Sequence, residues 1–217
     1  GKNLIGSFYQ PKLVISDIDF LKTLPKREII CGYAEIFKHS LIFEKKFFSF
    51  LDKNANEILN LKSPFIEKSI VKSCEIKKII VELDEKEKSL RKILNFGHTF
   101  AHAYESSLNY SKRLNHGEAV LLGIHSAINF SLKLKLLSKL NYSKIKDHFI
   151  KYKLPNKITN YFLKKDLKRL IYFMKKDKKN TSNLINLILI ERIGRIKLNL
   201  NFNEKVLSKF FEEELNN

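Results

Sequence analysis

The sequence predicts a mainly α-helical domain whose β content is limited to an N-terminal strand and one small hairpin. Three observations predict it. From Pro25 to Leu137, apolar residues recur three and four positions apart, the period of helices that bury one face. Short β-branched runs are confined to the first 24 residues and to two pieces near the C-terminus. A hydrophobic content of 44%, with 17 Phe among 217 residues, is ample for a buried core, so the chain is globular.

Taken in order, Gly1 to Gln10 reads as a loop with two glycines, and Lys12 to Phe20 (K-L-V-I-S-D-I-D-F) as a strand. A lone strand at a chain start needs a sheet to join. Residues 1–24 are therefore expected to be the tail of a preceding domain that supplies that sheet, and residues 25–217 the helical domain. Pro25 suits a first helical turn, and Ile29, Ile30, Tyr33, Ala34, Phe37 and Leu41 mark the buried face of the helix it opens. Glu44 to Asn60 and Pro64 to Leu83 predict two further amphipathic helices, followed by a charged turn from Asp84 to Lys88. Beyond the apolar run Ala119 to Leu137, short helices are expected at Lys144 to Tyr152 and Lys165 to Lys176, separated by Pro155. Leu184 to Ile190 and Arg195 to Asn201, split by a turn containing Gly194, predict a two-stranded hairpin, and Phe202 to Leu215 a closing helix.

Composition narrows the function classes. There is neither a signal peptide nor a run of 18 apolar residues, so secretion and membrane spanning are disfavoured. The two cysteines, Cys31 and Cys74, lie far apart and resemble neither a disulfide framework nor a cysteine-based zinc site; a reducing cytoplasm fits. Lys and Arg number 41 against 23 Asp and Glu, a net charge of +18. Such a surplus can mark a basic helical nucleic-acid-binding module. Lysines run along the whole chain, however, with no basic stripe and no nucleic-acid motif. Compositional bias accounts for most of the surplus, and steering of an anionic substrate for the rest.

Arg91 to Val120 is the most informative stretch: R-K-I-L-N-F-G-H-T-F-A-H-A-Y-E, a polar break, then N-H-G-E-A-V. It holds three of the six histidines. His98 and His102 are four apart and project from one helix face. His116 heads the long apolar run and so stands near a helix N-terminus. An i, i+4 histidine pair is most often a solvated face; here Arg91, Asn95 and Glu105 are set among apolar residues and need partners, of which a ligand is one kind.

The string L-R-K-I-L-N-F-G-H-T-F-A-H-A-Y-E with H-G-E-A-V resembles the 3-dehydroquinate synthase family. Gly1 to Pro11 (G-K-N-L-I-G-S-F-Y-Q-P), Leu21 to Lys38 (L-K-T-L-P-K-R-E-I-I-C-G-Y-A-E-I-F-K) and Cys74 to Glu87 are similar to the same family, collinearly over about the first 180 residues. The resemblance implies the helical C-terminal, metal- and substrate-binding domain of a dehydroquinate synthase-like fold. It implies a phosphorus–oxygen lyase of the shikimate pathway and aromatic amino acid biosynthesis, which converts 3-deoxy-D-arabino-heptulosonate 7-phosphate to 3-dehydroquinate and phosphate.

By matching position, Glu35 of A-E-x-x-K joins His98 and His116 as metal ligands. One oxygen and two nitrogens are the composition of a catalytic zinc site, with Zn2+ or Co2+ as the expected ion. His102, Lys38, Lys77, Arg91 and Asn95 match catalytic residues, and Lys2, Asn3 and Lys178 match substrate contacts. Cations suit the phosphate and carboxylate of such a substrate, and His102 a proton relay or a contact to a substrate hydroxyl. NAD+ is expected in the full-length enzyme, held by a domain preceding residue 1, because no dinucleotide fingerprint occurs in these residues. The isolated chain is accordingly expected to be inactive. A cytoplasmic homodimer is the expected assembly, with no membrane and no nucleic-acid partner. A related sugar phosphate cyclase or a metal-dependent polyol dehydrogenase would share the ligands. Lys77, Arg91 and Asn95 argue against the dehydrogenase, which has no phosphate to hold.

Overall fold

The computed structural model of the chain describes residues 6, 9–176 and 184–216. Lys2, Asn3 and Lys178 lie outside them. Among these residues eight α-helices and one hairpin follow in order: α1 (Lys26–Phe43), α2 (Lys45–Leu59), α3 (Phe65–Leu83), α4 (His98–Ser107), α5 (His116–Lys133), α6 (Lys139–Lys151), α7 (Leu167–Lys175), β1 (Ile185–Arg192), β2 (Arg195–Phe202) and α8 (Glu204–Glu214). Short 3-10 turns at Ile18–Thr23 and Leu90–Asn95 precede α1 and α4. No helix among the described residues is long and apolar enough to cross a membrane.

The fold is built around α5. Residues from Ala119 to Phe130 on several of its faces are buried, as expected for a helix apolar nearly all round. It packs against α4, α1, β1 and α6. Its start is fixed by a capping box: the Asn115 side chain accepts from the Glu118 amide at 3.1 Å, and the Glu118 carboxylate accepts from the Asn115 amide at 3.0 Å. The hairpin is antiparallel, with Ile185 opposite Phe202. β1 is buried on both faces, and its Ile190 amide donates to Ser131 Oγ of α5 at 3.2 Å; β2 alternates exposed and half-buried residues.

Three readings of the sequence need correction. Residues 12–20 form no strand: 12–17 carry no regular element, and a 3-10 turn begins at Ile18, its first amides capped by Asp17, which accepts from the Asp19 amide at 2.9 Å. A β-branched run becomes a strand only where a neighbour pairs with it, and the one sheet among the described residues is the distant hairpin. Leu13, Val14 and Ile15 are instead more than 70% exposed. Helix α6 begins at Lys139, five residues before the expected Lys144, because Ser138 accepts from the Asn141 amide as an N-cap. Finally, the basic surplus is concentrated. Residues 133–176 carry fourteen Lys and Arg against two Asp, and all fourteen cations are exposed.

Candidate metal and substrate site

Three glycines, at two close backbone approaches, bring the predicted ligands together. Gly97 precedes His98 and adopts φ +80°, a left-handed conformation that favours glycine. A Cβ at Gly123 of α5 would lie 2.3 Å from the Gly97 carbonyl oxygen, so α4 and α5 meet backbone to backbone where α4 begins. Gly117 follows His116, and a Cβ there would lie 2.3 Å from Cys31 Cα, one turn before Glu35 on α1. Each ligand is thus set within one turn of a contact that only glycine permits.

A second fastening joins α1 to the loop before α5. Arg27 Nε donates to Glu118 Oε1 at 2.7 Å and Nη2 to Oε2, a bidentate pair, while its remaining N–H groups reach the carbonyls of Lys112 and Arg113 at 2.8 and 3.1 Å. Burial works most strongly, raising the Glu118 carboxyl, but the Arg27 hydrogen bonds, the Asn115 amide and the Arg27 charge together hold the group below its usual range.

The resulting cluster is Glu35, His98 and His116, with one ligand atom from each lying within 4.8 Å of the others. His98 Nε2 stands 3.9 Å from Glu35 Oε1, and that oxygen is buried with no hydrogen-bond partner. The other carboxylate oxygen, Oε2, accepts from Lys38 Nζ at 2.7 Å, and Lys38 is only 3% exposed. This is not the surface ion pair that an i, i+3 spacing usually gives. Burial alone would raise the Glu35 carboxyl; the Lys38 ammonium overrides it and keeps the group ionised. Burial, then Lys38, push the His98 imidazole well below 6.5, so it is neutral at pH 7.

Outer partners fix both rings. His98 Nδ1 lies 3.3 Å from the Phe96 carbonyl, and His116 Nδ1 3.0 Å from Glu105 Oε1, so each ring donates from Nδ1 and keeps its Nε2 lone pair for a ligand. A buried carboxylate oxygen without a partner, facing a neutral imidazole and beside a second oriented one, fits a divalent ion. Two nitrogens and an oxygen with a position left over is the donor set of a catalytic zinc site. Both cysteines are free and neither belongs to this group.

The remaining predicted residues divide. His102 lies one turn along α4, its ring centroid 5.5 Å from that of His98. Lys77 and Glu35 line one cleft of about 320 Å³ between α1, α2 and α3, together with His39 and Ser73. His39, pushed by burial and Lys38 to about 3, is neutral, and its Nδ1 sits 2.7 Å from Ser73 Oγ. Arg91 and Asn95 are not among the residues lining that cleft. They stand on the 3-10 turn into α4 and bond to the charged turn before it: Arg91 Nη1 to the Glu85 carbonyl, and Asn95 Nδ2 to Glu87 Oε1 at 2.6 Å. Glu105, which orients His116, has no role in the sequence reading beyond being a polar group in need of a partner. The Arg27–Glu118 pair, 91 residues apart, leaves no local signal at all.

Comparison with known proteins places the chain in a family. Residues 32–180 match the 3-dehydroquinate synthase C-terminal family, and residues 1–31 the 3-dehydroquinate synthase N-terminal family. A 3-dehydroquinate synthase of Pelagibacter ubique is 57% identical over 215 residues, 99% of this chain and 58% of the relative. That of Campylobacter concisus is 45% identical over 196 residues, covering 89% of this chain and 53% of the relative. The chain thus spans somewhat more than half the length of these relatives. Among solved structures, 2-epi-5-epi-valiolone synthase from Streptomyces hygroscopicus, with NAD+ and Zn2+ bound, superposes with a TM-score of 0.85 at 19% identity, over 99% of this chain and 59% of that one. A 2-deoxy-scyllo-inosose synthase complexed with carbaglucose-6-phosphate, NAD+ and Co2+ gives 0.80 at 23%, over 98% and 59%. At such identities the likeness speaks for the fold alone. The match of the C-terminal family model over most of the chain decides the assignment: this chain belongs to the 3-dehydroquinate synthase family.

Proposed function

We propose that the chain is the metal- and substrate-binding part of an enzyme that converts 3-deoxy-D-arabino-heptulosonate 7-phosphate to 3-dehydroquinate and phosphate. The observation that carries this reading is the unpartnered Glu35 Oε1 facing His98 Nε2, with His116 alongside. When bound, zinc or cobalt supplies Lewis-acid polarisation of a substrate hydroxyl, and NAD+ accepts and returns a hydride.

The chain's own residues do the rest. Lys38 holds Glu35 ionised, and Glu105 and the Phe96 carbonyl aim the two ligand imidazoles. His102, a turn beyond His98, moves a proton at a substrate hydroxyl oxygen. Lys77, in the cleft with Glu35, receives anionic oxygens of the substrate. Arg91 and Asn95 join it after exchanging their bonds to the 85–87 turn for bonds to substrate; Lys2, Asn3 and Lys178 complete the contacts. Residues 1–24 form the tail of an NAD-binding domain, a reading supported by the relatives' greater length. Cytoplasmic location and homodimeric assembly belong to the same proposal.

The test is turnover of the heptulosonate phosphate with NAD+ and zinc. The chain alone should be inactive, because hydride transfer needs the nicotinamide set against the substrate. The chain fused behind the N-terminal remainder of the Pelagibacter ubique relative should turn over, and its His98→Ala variant should not. Turnover by the chain alone, or an inactive fusion that is folded and zinc-loaded, would overturn the reading.

A further inference from the structure

Beyond His116, α5 runs on to a second cleft, between α5, α6, α8 and the stretch after Pro155. Asn129, on its wall, is 13 residues from His116, about 20 Å along the helix axis. The cleft measures about 490 Å³, within the size range of small-molecule sites. Its apolar surface comes from Leu132, Ile150, Ile158, Phe210 and the Tyr142 ring.

The charges in it do not cancel. Lys133 is bound to Glu213. Glu214 accepts from the Asn129 amide at 2.8 Å, and burial pushes its carboxyl up. Burial and the nearby Lys146 push His125 to about 4, so that imidazole is neutral. Lys146 and Lys157 remain, and among the described residues neither has a carboxylate within ion-pair distance. Lys146 Nζ stands 5.7 Å from the centroid of the Tyr142 ring, which places a cation and an aromatic face at the same wall.

The surroundings point the same way. Residues 133–176 hold two acidic residues where the density of the rest of the chain would give about five, alongside fourteen cations. The cations set this segment apart, since residues 88–132 hold as few acids but only five Lys and Arg.

We propose that this cleft binds a small organic anion with an apolar, ring-sized body. Its carboxylate or phosphate is held by Lys146 and Lys157, and its body lies against Tyr142, Ile150 and Phe210.

The experiment is calorimetric titration of the chain with benzoate, phenyl phosphate and inorganic phosphate. The first two arms distinguish the anionic group; the third lacks the apolar body. At least one aromatic anion should bind with a dissociation constant below about 1 mM, and inorganic phosphate at least tenfold more weakly. The double variant Lys146→Ala/Lys157→Ala should lose at least tenfold in affinity. Both side chains are exposed, so the fold should persist. Lys135→Ala/Lys139→Ala, with the same charge removed outside the cleft, should bind as the unaltered chain does, as should Lys77→Ala in the first cleft. Absence of binding, equal binding of inorganic phosphate, equal loss in the two double variants, or loss confined to Lys77→Ala would each overturn the proposal.

Discussion

Two histidines, one fully and one mostly buried, meet opposite faces of α1, and they are satisfied in opposite ways. His148, fully buried, uses both ring nitrogens: Nδ1 lies 2.9 Å from Asp52 Oδ1 and Nε2 2.9 Å from Tyr33 Oη, while the ring stacks on Phe37 at 4.6 Å between centroids. His98 spends only Nδ1 on the protein, and its Nε2 faces a buried carboxylate oxygen that bonds to nothing. Tyr33 and Glu35 are two residues apart, so a helix sends them roughly 200° apart. Burial of a histidine, then, says little about ligation. What separates a structural imidazole from a ligand is whether its second nitrogen and the groups facing it are left without partners.

The two histidines should differ most in metal content. Purified with zinc, the chain should carry one ion, and Glu35→Gln or His98→Ala should carry less than a tenth of that by elemental analysis. His148→Ala should retain it in full. Full zinc in the ligand variants would erase the distinction between the two histidines.

In stability the effects exchange places. His148→Ala leaves a cavity and strands the Tyr33 hydroxyl, and should cost about 3 kcal/mol by urea denaturation. His98→Ala in the metal-free chain should cost markedly less, because its Nε2 makes no hydrogen bond to lose.

Acid should act on both histidines in the same direction, since burial lowers each of them. His148, lowered by burial, and His125, at about 4, stay neutral in the folded chain, whereas unfolded histidines protonate near 6.5. The unfolded state therefore binds more protons between about pH 6.5 and 4, and stability should fall as pH drops through that window. The loss is at most about 1.4 kcal/mol per pH unit for each histidine. An increase in stability on acidification would contradict the neutral assignment.

Outer groups should show a smaller version of the difference. Glu105→Ala removes the partner of His116 and should weaken zinc binding roughly 10–100-fold without emptying the site at millimolar zinc. Asn115→Ala, which breaks the capping box that starts α5, should cost about 1 kcal/mol of stability. No change in zinc affinity for Glu105→Ala would mean that His116 is not oriented by it.

The helices were legible because their signal is local. Apolar periodicity, Pro25, Pro64 and Pro155, and the Gly194 turn mark elements within a few residues of their observed bounds. His98 and His116 were legible for the same reason, one standing on an i, i+4 helix face and the other at a helix start. Glu35 needed the family resemblance, since an A-E-x-x-K pattern by itself describes a surface ion pair as well as a buried one. What stayed hidden depends on contacts distant in sequence. The strand expected at residues 12–20 needed partner strands that the described residues do not contain. The Arg27–Glu118 clamp joins positions 91 apart, and the second cleft draws its walls from α5, α6 and α8. The concentration of charge in 133–176 could have been counted, but a whole-chain surplus spread over 41 cations conceals it.

If Glu35, His98 and His116 form one open metal site, X-ray absorption at the zinc edge of the zinc-loaded chain reads its donor set. The first shell should hold nitrogen and oxygen alone at about 2.0–2.2 Å, with two imidazoles in the unaltered chain and one fewer in His116→Ala. A sulfur shell at about 2.3 Å, which would bring in Cys31 or Cys74, or a shell unchanged by His116→Ala, would contradict it.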